Sequence, residues 1–301
     1  GVWFDPGSRA QRIESELTRL VAAGGVTVPA MQALQLDTHN VFADELLPTL
    51  TEALARVPTD PALAAFRAQP ELATLGDILS RWDRTMDRTS SPAVVYEAWQ
   101  NFFARRVLAD DLTLVFDAVL SAEPAYVLKL LTLTVRGRFA GSERFLQGGV
   151  HALALGALAD THAWLVQRFG GAEPTRYRWD RYHRTRIAPS FSAAGPFATE
   201  PVTTDGSVGT VNVSQALFFD GATPREHHES RSGAVYRMVM SFDEDGTPAA
   251  VVNFPRGNAG DPTSPWWSNT QADWQAGVYR PMPFRRDAVV RAAQERLTVR
   301  P

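Results

Sequence analysis

The sequence predicts an α+β chain in which helices come first and strands follow. Three observations carry that prediction. Up to residue 171, apolar residues recur at helical spacing, with Ser, Thr or Asp at the starts and Gly at the ends. From residue 172 the pattern changes to short β-rich runs separated by Gly, Pro and Asp. No Gly-rich strand–helix junction marks an alternating βαβ order, which favours segregated α+β over a doubly wound sheet. The expected division is a mainly helical segment at 1–171, a strand and loop segment at 172–286, and a C-terminal tail at 287–301.

Each element has its local reason. A first helix starts at Gly7 or Ser8, carries Ile13, Leu17, Leu20 and Val21 on one face, and stops at Gly24-Gly25. Thr27 caps a short helix with Pro29 in its first turn. Asp37 to Arg56 reads as a longer helix bent at Pro48. A helix containing Leu75, Ile78 and Leu79 ends at Trp82-Asp83, where Trp82-Asp83-Arg84 looks like a turn held by an aromatic anchor. Ser90 or Ser91, followed by Pro92, opens a helix with Val95, Trp99, Phe102, Phe103 and Val107. Asp110 or Asp111 is expected to open the next one, through Leu114 and Val119. Leu128–Val135 is an apolar run. A long helix from about Ser142 to Phe169 closes at Gly170-Gly171, and its Ala-rich middle implies close packing on a sheet or another helix.

In the second part, Tyr177–Ile187 alternates aromatic and Arg residues and reads as a strand. Gly209–Phe219 is β-rich. Ala234–Phe242 and Ala249–Phe254 form a hairpin across a connector containing Asp245-Gly246. Trp274–Arg280 reads as one more strand, and residues 287–297 as a terminal helix.

Composition excludes several function classes. Among 301 residues, 45% are hydrophobic and 21% charged, with a net charge of −3, so there is no electrostatic footprint for nucleic acid. The longest apolar passage, Ala125–Val135, falls short of a membrane span. Cysteine is absent, which removes thiolate nucleophiles and Cys-ligated metals from this segment. Lys129 is the only lysine. Gly1-Val2-Trp3-Phe4 is no signal peptide, and it reads like a chain already under way.

No isolated motif declares an activity. His227-His228 between Glu226 and Glu229 looks metal-like, but adjacent side chains diverge, so an exposed polar loop is the favoured reading. Asp180 and His183 offer an acid–base pair, but no Gly-x-Ser-x-Gly elbow completes a triad, and packing is favoured. His151 and His162 lie 11 residues apart on the long helix, with one expected in the core and one at the surface. Arg256-Gly257-Asn258-Ala259-Gly260 precedes no helix and is not a phosphate loop. Trp266-Trp267 reads as core or lid packing before ligand stacking.

The order of several segments resembles the C-terminal part of the β-subunit of the penicillin acylase family of N-terminal-nucleophile hydrolases. Gly7-Ser8-Arg9-Ala10-Gln11-Arg12-Ile13 resembles the segment opening a helix after the family's catalytic Asn. Met31–Asp37, Leu79–Asp83 with Ala93–Trp99, Trp179–His183, Gly209–Val213, Ser232–Val239, Phe254–Gly260 and Ser264–Tyr279 follow in the family order. Asp180 and Arg256-Gly257-Asn258 depart from the commoner residues. The resemblance implies the C-terminal part of a four-layer αββα fold and hydrolysis of an N-acyl amide by an N-terminal Ser. That Ser is freed by autocatalytic processing and lies upstream of residue 1. Its substrates would be small N-acyl amides of the β-lactam, acyl-homoserine lactone or lipopeptide classes.

The resemblance also implies partners, namely an α-subunit and the N-terminal part of the β-subunit, and a periplasmic or secreted location. No cofactor and no metal are expected in this segment. Arg9 alone maps onto a family site residue, an Arg supporting the site electrostatically. A helix-start Arg paired with a carboxylate is the plainer reading. The alternative function is a non-catalytic binding or scaffold module derived from the same fold.

Overall fold

A computed structural model describes residues 7–187, 200–242, 244–294 and 296–299. The chain is α+β, with helices dominating the first half and strands confined to the second. Eleven α-helices are described: α1 Ser8–Ala22, α2 Val28–Gln35, α3 Val41–Arg56, α4 Pro70–Ser80, α5 Pro92–Leu112, α6 Leu114–Ala122, α7 Pro124–Val135, α8 Val150–Phe169, α9 Trp179–Tyr182, α10 Gln271–Ala276 and α11 Arg286–Ala292. The strands are β1 His183–Thr185, β2 Ser214–Ala216, β3 Phe219–Asp220, β4 Thr223–Pro224, β5 His228–Gly233, β6 Arg237–Phe242, β7 Pro248–Asn253 and β8 Arg280–Met282.

Packing divides the chain into two compact units. The first comprises Gly1–Glu16, Asp37–Arg186 and Pro201–Gly233; the second comprises Leu17–Leu36, Ile187–Glu200 and Ala234–Pro301. The composition change at residue 172 follows the type of element, whereas the units follow contacts.

In the first unit, α5 is buried nearly all round, from Ala93 through Leu108, and so serves as the central helix. It packs along α8, where Ala154, Gly156 and Ala157 let the two backbones approach. The Trp99 indole N–H donates to the Ala154 carbonyl at 3.0 Å across this interface. A Cβ on Gly156 would lie 2.8 Å from the Arg106 guanidinium, the flexible end of a partly exposed side chain. The same unit holds a three-stranded sheet in the order β1-β5-β2, with β1 parallel and β2 antiparallel to β5. In the second unit, β6, β7 and β8 form an antiparallel sheet. The β6–β7 hairpin pairs Phe242 with Pro248, and Gly246 in its connector takes φ 77, as an Asp-Gly turn requires.

Several expectations are corrected. The helix expected from Asp37 starts at Val41, because the Asn40 side chain accepts from the Ala43 N–H and caps it. Asp110 and Asp111 open no helix; they lie inside α5, whose apolar stripe continues past them, and the break falls at Thr113 with φ 47. The long helix starts at Val150, since Gly148 and Gly149 take φ 84 and 90 and separate it from a short 3-10 turn at Ser142–Leu146. Trp179–Tyr182 is a helical turn rather than strand, because both aromatic rings bury in one direction at i, i+3 spacing. The expected strand at Trp274–Arg280 begins inside the helix α10, which Gly277 closes at φ 69, and a strand starts only at Arg280.

Candidate functional site

Helix α1 opens with Ser8 buried and Arg9 half-buried. The Arg9 Nε is shut off from solvent and has no hydrogen-bond acceptor among the described residues. One turn later, Arg12 is fully committed. Its Nε and Nη2 reach Asp37 Oδ2 at 3.2 and 2.7 Å, and its Nη1 lies 2.9 Å from Glu16. The Asp37 hydrogen bond is the main influence holding the Arg12 pKa above its ordinary value, against the cost of burial. The carboxylate pairing at this helix start therefore goes to Arg12, and among the described residues no carboxylate pairs with Arg9.

A second constellation lies in the core of the same unit. Strand β5 begins with His228, β1 with His183, and their parallel pairing places these two residues side by side. Their Nδ1 atoms are 3.0 Å apart. His183 Nε2 lies 2.8 Å from Ser214 Oγ on β2. His228 Nε2 points toward Glu97 Oε1 of α5, at 3.6 Å. Glu97 accepts from Gln100 Nε2 at 2.8 Å and Asn101 Nδ2 at 3.0 Å. All four linked residues, Glu97, His228, His183 and Ser214, are buried. Trp179 stacks on His183 and Tyr182 on His228.

Burial sets the protonation of this chain. It pushes Glu97 up to about 7, against the pull of its Asn101 and Gln100 hydrogen bonds. It pushes His183 down to about 3 and His228 well below the usual range, the latter helped by His183 and Arg225. Both rings are therefore neutral at pH 7, and one Nδ1 must donate while the other accepts. The arrangement can hold and pass a proton internally. It is sealed from solvent and ties α5 to β1, β5 and β2.

These positions revise the sequence expectations. His227 and His228 do not sit in an exposed loop: His228 is wholly buried at the head of a strand, while His227 is one-third exposed. They diverge as adjacent strand residues must. Asp180 pairs with Arg178 rather than His183, at 2.5 Å. His151 and His162 are both partly exposed, so neither is in the core. Trp82 is buried with its indole N–H on the Thr85 carbonyl, and Asp83 accepts from the Thr85 N–H, which locks that turn as expected. Glu97, with Gln100 and Asn101 at i+3 and i+4, escaped the sequence reading. The available signal was three polar residues on one face of an otherwise apolar run.

A family model described as penicillin amidase matches residues 1–291. The chain belongs to the penicillin amidase family. Within that family it is similar to the acyl-homoserine lactone acylase QuiP of Pseudomonas syringae pv. syringae (strain B728a), at 23% identity over 323 residues. The QuiP of Pseudomonas syringae pv. tomato (strain ATCC BAA-871 / DC3000) is also 23% identical, over 321 residues. Each alignment covers 99% of this chain and 36% of the relative, so the chain spans about a third of their length. Among solved structures it shares a fold with the thermostable penicillin G acylase from Alcaligenes faecalis, with TM-score 0.54 and 13% identity over 96% of this chain and 52% of that one.

Among the described residues of this penicillin amidase family chain, no group of three or more His, Asp or Glu side chains is placed to hold a metal ion. No single helix among them is long and apolar enough to cross a membrane. One bent pair, Val115–Ala122 with Pro124–Val135, passes the same test by length and composition.

Proposed function

We propose that this chain is the C-terminal part of an amidase that hydrolyses small N-acyl amides, with the nucleophile on the segment preceding it. The observation that carries the reading is the family match along nearly the whole chain, combined with its coverage of about a third of its relatives. The nucleophile is an N-terminal Ser whose own α-amino group, with an ordinary pKa of about 7.7–8.0, takes the hydroxyl proton. Backbone N–H groups and an Asn side chain of the preceding segment hold the oxyanion. The partners are an α-subunit and the first part of the β-subunit, and the location is periplasmic or secreted. Arg9 enters as a positioning residue that presents positive charge to the site, a role supported by its unassigned Nε beside the fully paired Arg12.

The test is expression of the whole precursor, followed by assay against an N-acyl-homoserine lactone and a phenylacetyl amide. These probes follow from what the relatives and the solved neighbour are named for. Hydrolysis of at least one by the processed protein, and of neither by residues 1–301 alone, is the expected result. A processed protein that cleaves no N-acyl amide, or a fully active 1–301 chain, overturns the reading.

A further inference from the structure

The second unit contains a cavity of about 410 Å³, open on one side. That volume lies within the roughly 300–1,000 Å³ range of small-molecule sites. Two loops build it. The segment 254–260 lies along the segment 264–270, joined by hydrogen bonds from Gly257 N to the Trp267 carbonyl and from Ala259 N to the Trp266 carbonyl. Gly257 is obligatory here, since a Cβ would sit 1.8 Å from the Trp266 carbonyl oxygen. One wall is apolar, formed by Val252, Phe254, Trp266 and Pro281. Two cations, Arg256 and Arg280, also line it.

The two arginines are in different states. Arg280 is neutralised, with its Nε 2.6 Å from Asp273 Oδ2. The Arg256 guanidinium carbon sits over the Trp267 ring, 3.4 Å from the centroid, a cation–π contact that restrains its N–H fork. No carboxylate pairs with it among the described residues. Burial lowers its pKa, and no neighbouring charge contributes. An anion entering this pocket would meet a positive charge that no described carboxylate shares. A restrained planar fork suits a carboxylate, which it can meet through two parallel hydrogen bonds.

We infer that this cavity binds a small monocarboxylate with an apolar body, its carboxylate on the Arg256 fork and its hydrocarbon or aryl part against Val252, Phe254, Trp266 and Pro281. The inference stands independently of the amidase reading, because every residue it uses lies in the second unit. Inorganic phosphate or sulfate would satisfy Arg256 and leave the apolar wall bare. A neutral alcohol would do the reverse.

The experiment is titration of the whole processed protein with octanoate and with phenylacetate, followed by tryptophan fluorescence and calorimetry. Octanol, octylamine and inorganic phosphate serve as comparison probes. The expected result is saturable binding of at least one carboxylate at a site separate from any acyl site of the amidase, identified by its loss in Arg256→Gln, and at least tenfold tighter than octanol or phosphate. Arg256→Gln should weaken it by tenfold or more, while Arg67→Gln, on an exposed arginine remote in sequence, leaves it unchanged. Should Arg256→Gln fail to fold, the comparison of octanoate with octanol on the unaltered protein, repeated at high salt, decides the matter, since only a charge contact weakens with salt. No carboxylate binding, equal binding of octanol, equal binding of phosphate, or binding indifferent to Arg256→Gln each overturns the inference.

Discussion

His183 and His228 face each other through their Nδ1 atoms at 3.0 Å inside the first unit, and neither ring reaches solvent. Two imidazoles in that contact can share only one N–H, so protonating the accepting ring turns the hydrogen bond into a repulsion between donors. The pair is extended by Ser214 at one end and Glu97 at the other, which makes folding depend on pH in a defined way.

Stability from these groups should rise with pH and level off at about pH 7. The histidines titrate at 6.5 when unfolded and far lower when folded, His183 at about 3, so their contribution is lost as pH falls below 6.5. Glu97 behaves oppositely. Its pKa rises from 4.5 to about 7, so its contribution is lost as pH climbs through that range. Between 4.5 and 6.5 the unfolded chain holds the two histidine protons against one on folded Glu97, and stability still rises with pH. By about pH 7 the protons held by the unfolded histidines and by folded Glu97 balance, and stability levels off. Thermal melts across this range should show a rise and then a plateau. Glu97→Gln, which cannot ionise, should steepen the rise between 4.5 and 6.5, because the opposing Glu97 proton is gone; an unchanged slope would show that folded Glu97 holds no proton there.

Replacing Glu97 by Ala should cost far more than replacing it by Gln. Glu97→Ala leaves the Gln100 amide without its buried acceptor and opens a gap beside His228, a loss of about 3 kcal/mol relative to the Gln variant. Glu97→Gln keeps an oxygen for those donors. Urea denaturation of the two variants provides the comparison, and equal midpoints would contradict this account.

Arg9 and Arg12 should separate into function and stability. Arg12→Gln removes a paired, three-quarters-buried contact to Asp37 and should cost about 1 kcal/mol. Arg9→Gln should leave the melting temperature unchanged and lower kcat/KM of the processed enzyme by about ten- to a hundredfold. Loss of stability with unchanged kinetics in Arg9→Gln would return it to the ordinary helix-start role.

Two glycines should respond differently to alanine. Gly206 takes φ +89, and a Cβ there would sit 1.9 Å from the Asn212 carbonyl oxygen. Gly206→Ala should destabilise by about 3 kcal/mol or more. Gly246 takes φ +77 with nothing within 4 Å. Gly246→Ala should cost about 1 kcal/mol, the backbone term alone. Differential scanning calorimetry separates the two, and similar losses would mean that crowding at Gly206 is relieved by a backbone shift.

Much of the helical part was legible because its signals are local. Thr27 accepts from Ala30, Pro92 stands in the first turn of α5, and Gly170 takes φ 75 to close α8, each readable within a few residues. The hairpin across Asp245-Gly246 was legible for the same reason. The strand content around Tyr177–Ile187 and Trp274–Arg280 was not. Trp179, Tyr182 and Trp274 look β-prone in isolation, yet burial of their rings on one side imposes helical turns.

The candidate site divides along the same line. Arg9 stands out in the sequence only by its place in an ordered set of segments, and its contrast with Arg12 rests on Asp37, 25 residues away from Arg12. The Glu97–His228–His183–Ser214 chain gathers residues from α5, β5, β1 and β2. Glu97 lies in the first half of the chain, and the other three follow residue 180. Local chemistry thus suffices for the order of elements, their caps and the family pattern, since caps, turns and periodicity act over one or two turns of chain. Which histidine is sealed in the core, which arginine is left uncompensated and which carboxyl keeps its proton depend on long-range packing. Desolvation and counter-ions arise only when distant segments exclude water together.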